Sequence, residues 1–215
     1  MKPFAKSATK TRLCRLCFET IKDINLHQIF HQDICICQKC QEQFSSVFEK
    51  VKICGVNGWA IYDYNDFFQS VLYKLKGCGD IEIAPCFLDY HLPWIRSNFR
   101  GYSIIAAPSH YSRDEERGFN QVEEIFKRTG LKMLKALIKT ENRKQSDLAQ
   151  AERAKISDII AWNGDAKITG KKVLLVDDVM TTGSTIKACI NIIKAHSPKS
   201  LSVLVISRVA DIGER

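Results

Sequence analysis

At 215 residues, 45% hydrophobic and 26% charged, the chain has the size and composition of one α/β domain with a small appendage. No apolar run approaches the roughly 20 residues needed to span a bilayer, so membrane insertion is not expected. The formal net charge of +8 is uneven, with 9 Lys/Arg against 5 Asp/Glu over residues 1–60, 6 against 10 over 61–124 and 9 against 3 over 125–155. Two basic stretches around an acidic one suit anionic ligands or nucleic acid, the bland alternative being a solvated lysine surface.

The opening MKPFAKSATKTR is basic but leads into Leu-Cys-Arg, not an apolar segment, so no secretory signal is expected and a cytoplasmic address follows. Nine cysteines without an export signal then argue for reduced thiols and a metal, not a disulfide framework. Cys14-x-x-Cys17 and Cys37-x-x-Cys40, separated by 19 residues, have the spacing of a four-cysteine zinc ribbon or knuckle. Each pair can aim two thiolates at one tetrahedral Zn2+, and metal binding would supply most of the folding energy of so short a segment. Cys35, His27 and His31 are alternative ligands. Cys54, Cys78, Cys86 and Cys189 fall outside the pattern and read as buried thiols. Such a module serves equally as a nucleic-acid clamp or as a structural staple.

The amphipathic stretch Gln41–Val51 reads as a short helix packed on the module, interrupted at Gly55–Gly58. Trp59–Tyr64 alternates large β-formers and reads as a strand. Asn65–Lys76, apolar at 67, 68, 71, 72 and 75, reads as an amphipathic helix ending at Gly77. Ile81–Asn98 reads as a second helix bent at Pro93. Beyond it, Ser103–Ala107 is a short buried strand stopped by Pro108, followed by a loop through Arg117 and a helix from Asn120 to about Arg128. Met133–Ile138 fits strand or helix, and Thr140–Ala149 reads as an exposed basic loop. Val173–Val176, Ser184–His196 and Leu201–Ile206 then read as strand, helix and strand. Their continuous apolar strands predict a parallel sheet.

Ligands of open α/β sheets sit beyond the carboxyl ends of strands. At that end of Val173–Val176 the chain reads Asp177 and Asp178, then Thr181, Thr182, Gly183, Ser184 and Thr185 turning into a helix. The helix start offers unsatisfied N–H groups and the positive end of the macrodipole to an anion, and Gly183 lets a phosphate approach closely. Two carboxylates would repel an anion-only ligand, but an ionised carboxylate accepts hydrogen bonds from hydroxyls. A phosphate beside a cis-diol, as in a ribose 5-phosphate, satisfies both halves of the site. Helix capping alone accounts for Thr181–Ser184 and leaves the carboxylates unexplained.

VLLVDDVMTTGSTI (Val173–Ile186) resembles the PRPP signature of type I phosphoribosyltransferases. YKLKGCGDIEIAP (Tyr73–Pro85), IIAAPSHYSRDEERGFNQ (Ile104–Gln121), TENRKQSDLAQAER (Thr140–Arg153) and the cysteine pairs narrow the resemblance to the ComF family of bacterial natural-competence proteins. One departure is Ala106-Ala107-Pro108, where the family has P-[VIL]-P. The resemblance implies an α/β fold, a type I phosphoribosyltransferase-like parallel sheet flanked by helices, with a small N-terminal zinc ribbon or knuckle. It implies a zinc-binding module at 1–54 and a phosphoribosyltransferase-like domain at 55–215, with a hood at 55–99 and the PRPP-binding core at 100–215. PRPP with Mg2+ would be held by Asp177, Asp178 and Thr181–Thr185. Pro108, Ser109, Arg113 and Arg117 would face the pyrophosphate, unless the arginines pair instead with Asp114, Glu115 or Glu116.

The function this implies is a competence factor that binds PRPP and single-stranded DNA, acts in DNA uptake during natural transformation and meets protein partners of the competence machinery. The alternatives are an active phosphoribosyltransferase of nucleotide salvage, in which Asp177 and Asp178 are catalytic, and a non-catalytic PRPP-sensing regulator.

Overall fold

The strands richest in unbroken apolar residues lie where a sheet is covered on both faces. β7 (Lys172–Met180) and β8 (Ser200–Arg208) bury Val173–Val176 and Val203–Ile206 completely. A computed structural model describes residues 12–21, 34–109, 111–140 and 159–209. Within these residues β7 and β8 are parallel neighbours joined by helix α6 (Ser184–Ala195). On the far side of β7 lie β3 (Tyr102–Ala106) and the two-residue β4 (Lys132–Met133), both parallel to it. On the far side of β8 lies β2 (Val56–Asp63), also parallel, and antiparallel to it β1 (Ser46–Ile53) forms the edge. The order is therefore β1-β2-β8-β7-β3-β4, with a separate antiparallel pair, β5 (Leu137–Thr140) and β6 (Ile159–Trp162).

Side chains alternate across β7. Leu174 and Val176 join a core with helices α2 (Asp66–Gly77), α3 (Leu92–Asn98) and α5 (Gln121–Lys127), whereas Val173 and Leu175 pack with α6. Asn65 caps α2 by accepting the Phe68 N–H at 2.8 Å, and Asn120 caps α5 through the Glu123 N–H at 3.0 Å.

Three regions depart from the sequence expectations, and a fourth, left open between strand and helix, is resolved. Only Gln38–Gln43 of the segment around Gln41–Val51 is helical (α1). The remainder is β1, closed onto β2 by a two-residue turn in which Cys54 (φ 49°) and Gly55 (φ 76°) are both left-handed. The hairpin spans residue 54, so the sheet runs unbroken past the end of the cysteine-rich module. Ile81–Asn98 is not one helix: 3-10 turns cover Ile81–Phe87 and Asp89–His91, and α3 starts around Pro93, which is accommodated in its first turn. The expected loop before Arg117 contains a helix, α4 (Tyr111–Arg117). Met133–Ile138 divides between the end of β4 and the start of β5. Beyond Thr140, which ends β5, the expected basic loop lies outside the described residues. No helix among the described residues is long and apolar enough to cross a membrane.

Candidate phosphoribosyl site and cysteine cluster

From β3 the chain continues outward to β4, and from β7 it continues through α6 to β8 on the other side. The crevice between the carboxyl ends of β3 and β7 is thus a topological switch point, the place where open α/β sheets take ligands. The Ala107 N–H donates to Val176 O at 2.8 Å, so Pro108 and Ser109 leave the sheet directly beside Asp177 and Asp178. The two segments expected to share a phosphorylated ribose therefore meet at one sheet end. A cleft of ≈ 590 Å³ opens on the Pro108–Ser109 side of this sheet end, lined by Pro108, Ser109, Phe119, Asn120 and Lys139 among others and not by Asp177–Thr185.

At the start of α6, Thr181, Thr182, Ser184 and Thr185 are exposed. Gly183 precedes the helix at φ 70°, a left-handed conformation that glycine adopts without a Cβ penalty. Thr182 and Ser184 share a hydroxyl hydrogen bond at 2.8 Å. Ser184 N–H reaches only Thr182 Oγ1, at 3.4 Å, so the first turn keeps weakly committed donors facing outward.

β7 runs on past the carboxylates to Met180. Strand alternation therefore sends Asp177 and Asp178 toward opposite faces of the sheet, Asp177 to the α6 side and Asp178 to the α2–α5 side. Asp178 is buried, and its Oδ2 accepts from Lys76 Nζ at 2.7 Å and Gln121 Nε2 at 2.8 Å. Asp177 Oδ1 accepts the Asp178 N–H at 2.9 Å. Burial, and then the neighbouring Asp178 carboxylate, push the Asp177 carboxyl up to about 8.

Behind the crevice, a chain of side-chain contacts connects the Ser109 loop to Asp178. Ser109 Oγ donates to Asp114 Oδ1, and Asn120 Nδ2 reaches Asp114 Oδ2 at 2.8 Å and Ser109 Oγ at 3.0 Å. Arg117 Nη1 pairs with Asp114 at 3.4 Å and donates to Gln121 Oε1, while Arg117 Nε donates to Lys76 O at 3.2 Å. The Arg117 guanidinium, 10% exposed and 5.7 Å from the Phe119 ring centroid, is thus turned inward among these partners. Arg113 lies in α4, and its side chain is outside the described residues. Lys76, Asn120 and Gln121 are not among the site residues expected from the sequence. The signal was present in YKLKGCGD and RGFNQ, but nothing local shows that Lys76 and Gln121 converge on Asp178 and Asn120 on Asp114.

The sulfurs of Cys14, Cys17, Cys37 and Cys40 lie within 4.8 Å of one another. One tetrahedral zinc with Zn–S of about 2.3 Å requires sulfurs about 3.8 Å apart, and Cys17 Sγ to Cys37 Sγ is 3.7 Å. Burial raises the Cys14 thiol, but backbone N–H groups of Cys37, Cys17 and Leu16 outweigh it and bring the thiol down to about 7. Cys14–Cys17 sits in a small turn closed by a Leu13–Thr20 bridge, and Cys37–Cys40 lies at the start of α1. Cys35, an open alternative in the sequence, points elsewhere: its sulfur is 3.4 Å from Cys86 Sγ and its N–H donates to Asp89 Oδ2 at 2.9 Å. His27 and His31 lie outside the described residues.

The chain is similar to several known proteins. The profile of the phosphoribosyl transferase domain matches residues 128–211, which include β7, the Thr181–Thr185 turn, α6 and β8. Competence protein ComFC of Streptococcus pneumoniae is 26% identical over 91% of this chain and 99% of its own length. Competence protein ComFC of Bacillus subtilis is 25% identical over 81% of this chain and 75% of its own. A hypoxanthine-guanine phosphoribosyltransferase structure from Bacillus anthracis aligns over 59% of this chain and 69% of that chain, at 16% identity and a TM-score of 0.37. The ComF resemblance carried by the motifs thus extends along most of the sequence.

Proposed function

We propose that this chain, which carries a phosphoribosyl transferase domain and resembles ComFC competence proteins along most of its length, binds PRPP with magnesium at the β3–β7 crevice and handles single-stranded DNA during natural transformation. The observation that carries the ligand reading is the meeting, at one topological switch point, of the Pro108–Ser109 loop, the Asp177–Asp178 pair and the glycine-led start of α6. The 5-phosphate would rest on the N–H groups and hydroxyls of Thr181–Thr185. Asp177 would accept from the ribose diol, and Asp178, fixed by Lys76 and Gln121, would hold the strand end in place. Magnesium would arrive on the pyrophosphate, which would lie along Pro108–Ser109. Zinc would be held by Cys14, Cys17, Cys37 and Cys40 as a structural ion.

Calorimetric titration of PRPP and magnesium tests this. The wild type should bind, and Asp177→Asn with Asp178→Asn should bind at least about tenfold more weakly, since the acceptor for the ribose diol and the anchor that holds the strand end are both weakened. Equal affinity in the two proteins, at matched melting temperature, would overturn the assignment. A transformation assay on the same double variant connects the site to competence.

A further inference from the structure

The amino-terminal ends of the parallel strands form a rim at the opposite end of the sheet from Asp177–Thr185. In register across it, Lys132 of β4 lies beside Ser103, Tyr102 beside Lys172, and Lys172 beside Ser200. Two turns project from the rim, 163–171 before β7 and 196–199 before β8. They are tied together by Gly170 N–H to Ser197 O at 3.2 Å, Lys199 N–H to Lys171 O at 2.8 Å and Thr169 Oγ1 to His196 O at 3.3 Å. Lys167, Lys171, Lys172, Lys194 and Lys199 are all exposed here, and Asp165 is the one carboxylate within 163–172 and 194–200. The carboxyl end of α6 adds partial negative charge at this point, so the positive field comes from the side chains alone.

Charge by itself would describe any solvated surface. The rim also carries an aromatic platform: Trp162 of β6 stacks on His196, with ring centroids 3.7 Å apart and planes at 16°. Both rings are partly exposed and line a cleft of ≈ 610 Å³ together with Lys167 and Lys171. Across the 196–199 turn, a second cleft of ≈ 410 Å³ runs past Gly55, Val56 and Lys194. Planar rings recessed between ammonium groups suit an unpaired base with phosphates on either side. A duplex hides its base faces, and an anionic bilayer would use the lysines but not the recessed stack.

We infer that this rim takes a single polynucleotide strand, with a base extending the Trp162–His196 stack and phosphates along Lys167, Lys171 and Lys199. The inference rests on the nucleic-acid part of the proposed function and adds the surface that serves it. It also separates the strand from the phosphoribosyl crevice, leaving both free to be occupied together.

Fluorescence anisotropy with labelled oligo-dT, at several salt concentrations, tests the surface on the full chain with zinc. Lys171→Glu with Lys199→Glu should weaken binding about tenfold or more and flatten the salt dependence. Trp162→Ala should weaken binding without changing the salt slope. Oligo-rU and duplex arms identify the ligand, with oligo-rU binding expected to respond to the variants as oligo-dT does and the duplex expected to bind more weakly than either. If Trp162→Ala lowers the melting temperature, the exposed lysine pair decides alone. Wild-type binding that neither variant reduces would place the strand elsewhere and overturn the inference while leaving the nucleic-acid reading intact. No wild-type binding to any oligonucleotide would sink both. Loss of binding to anionic vesicles in the lysine pair, with oligonucleotide binding unchanged, would assign the rim to membranes and overturn it.

Discussion

Asp177 and Asp178 are adjacent in sequence and opposite in environment. Asp178 is buried with Lys76 and Gln121 on one oxygen, so its charge is answered inside the fold. Asp177 has an N–H from Asp178 and no cation at hydrogen-bonding distance among the described contacts, and its carboxyl is pushed up to about 8, mainly by burial. The sign of the resulting pH effect follows from proton counts. Between about 4 and about 8 the folded state holds a proton on Asp177 that the unfolded state has lost. Stability therefore falls as pH rises through that window, is unaffected by this group below it, and carries the full cost above it. Asp177→Asn, which cannot ionise, should melt higher than the wild type at pH 9 and alike at pH 4, a difference that thermal denaturation across pH reads directly. A wild-type curve parallel to that of the variant from pH 4 to 9 would show that the carboxyl is not raised.

At the scale of elements, Gly58 illustrates how a residue that looks like a breaker can belong to a strand. It lies inside β2 in register with Val203 of β8, where an added Cβ would collide with Val203 O and meet Val203 Cβ at 2.7 Å. The obstructing atoms are backbone and Cβ, with no flexible end to swing aside. Gly58→Ala must push β2 off the sheet, and a loss of about 1–3 kcal/mol is expected from the shift in denaturation midpoint. An unchanged midpoint would mean that the strands are not this close. β7, α6 and β8 were legible because their apolar periods are unbroken and their turn is rich in glycine and hydroxyls. β1 was not, because Glu49, Lys50 and Lys52 make an edge strand resemble the polar side of a helix, and only pairing with β2 distinguishes the two. α4 was missed because Tyr111–Arg117 is almost entirely polar, and 81–98 because Pro85 and Pro93 fit short 3-10 and helical turns as well as a bent helix. In the site, the phosphate loop was readable as a local motif. The union of Lys76, Gln121 and Asp178 depends on three elements meeting and had no local pattern.

Across the whole molecule, the cysteine module and the six-stranded sheet share one interior. A continuous apolar cluster runs from Cys14 and Ile36 through Phe44, Tyr62 and Phe87 to Leu174 and Leu204. Two polar joints reinforce it. Arg15 pairs with Glu82 at 2.9 Å on the surface, where an ion pair contributes little. Asp89, only 3% exposed, accepts the Cys35 N–H and pairs with Arg128, linking the cysteine module, the 3-10 segment and the end of α5. Removing Asp89 takes one ion-pair partner from Arg128 and leaves the buried Cys35 N–H without its acceptor, a change expected to cost about 1–3 kcal/mol. Cys35 lies two residues before Cys37, so the same change should loosen the metal cluster. Asp89→Ala should therefore lower the melting temperature in one cooperative transition and speed zinc loss to a chromophoric chelator. Asp89→Asn keeps an acceptor for the Cys35 N–H and should lose zinc more slowly than Asp89→Ala while remaining less stable than the wild type. Two separate transitions, or zinc loss at the wild-type rate in Asp89→Ala, would mean that the module is an independent appendage. A single shifted transition would mean that metal occupancy and the phosphoribosyl sheet stand or fall together.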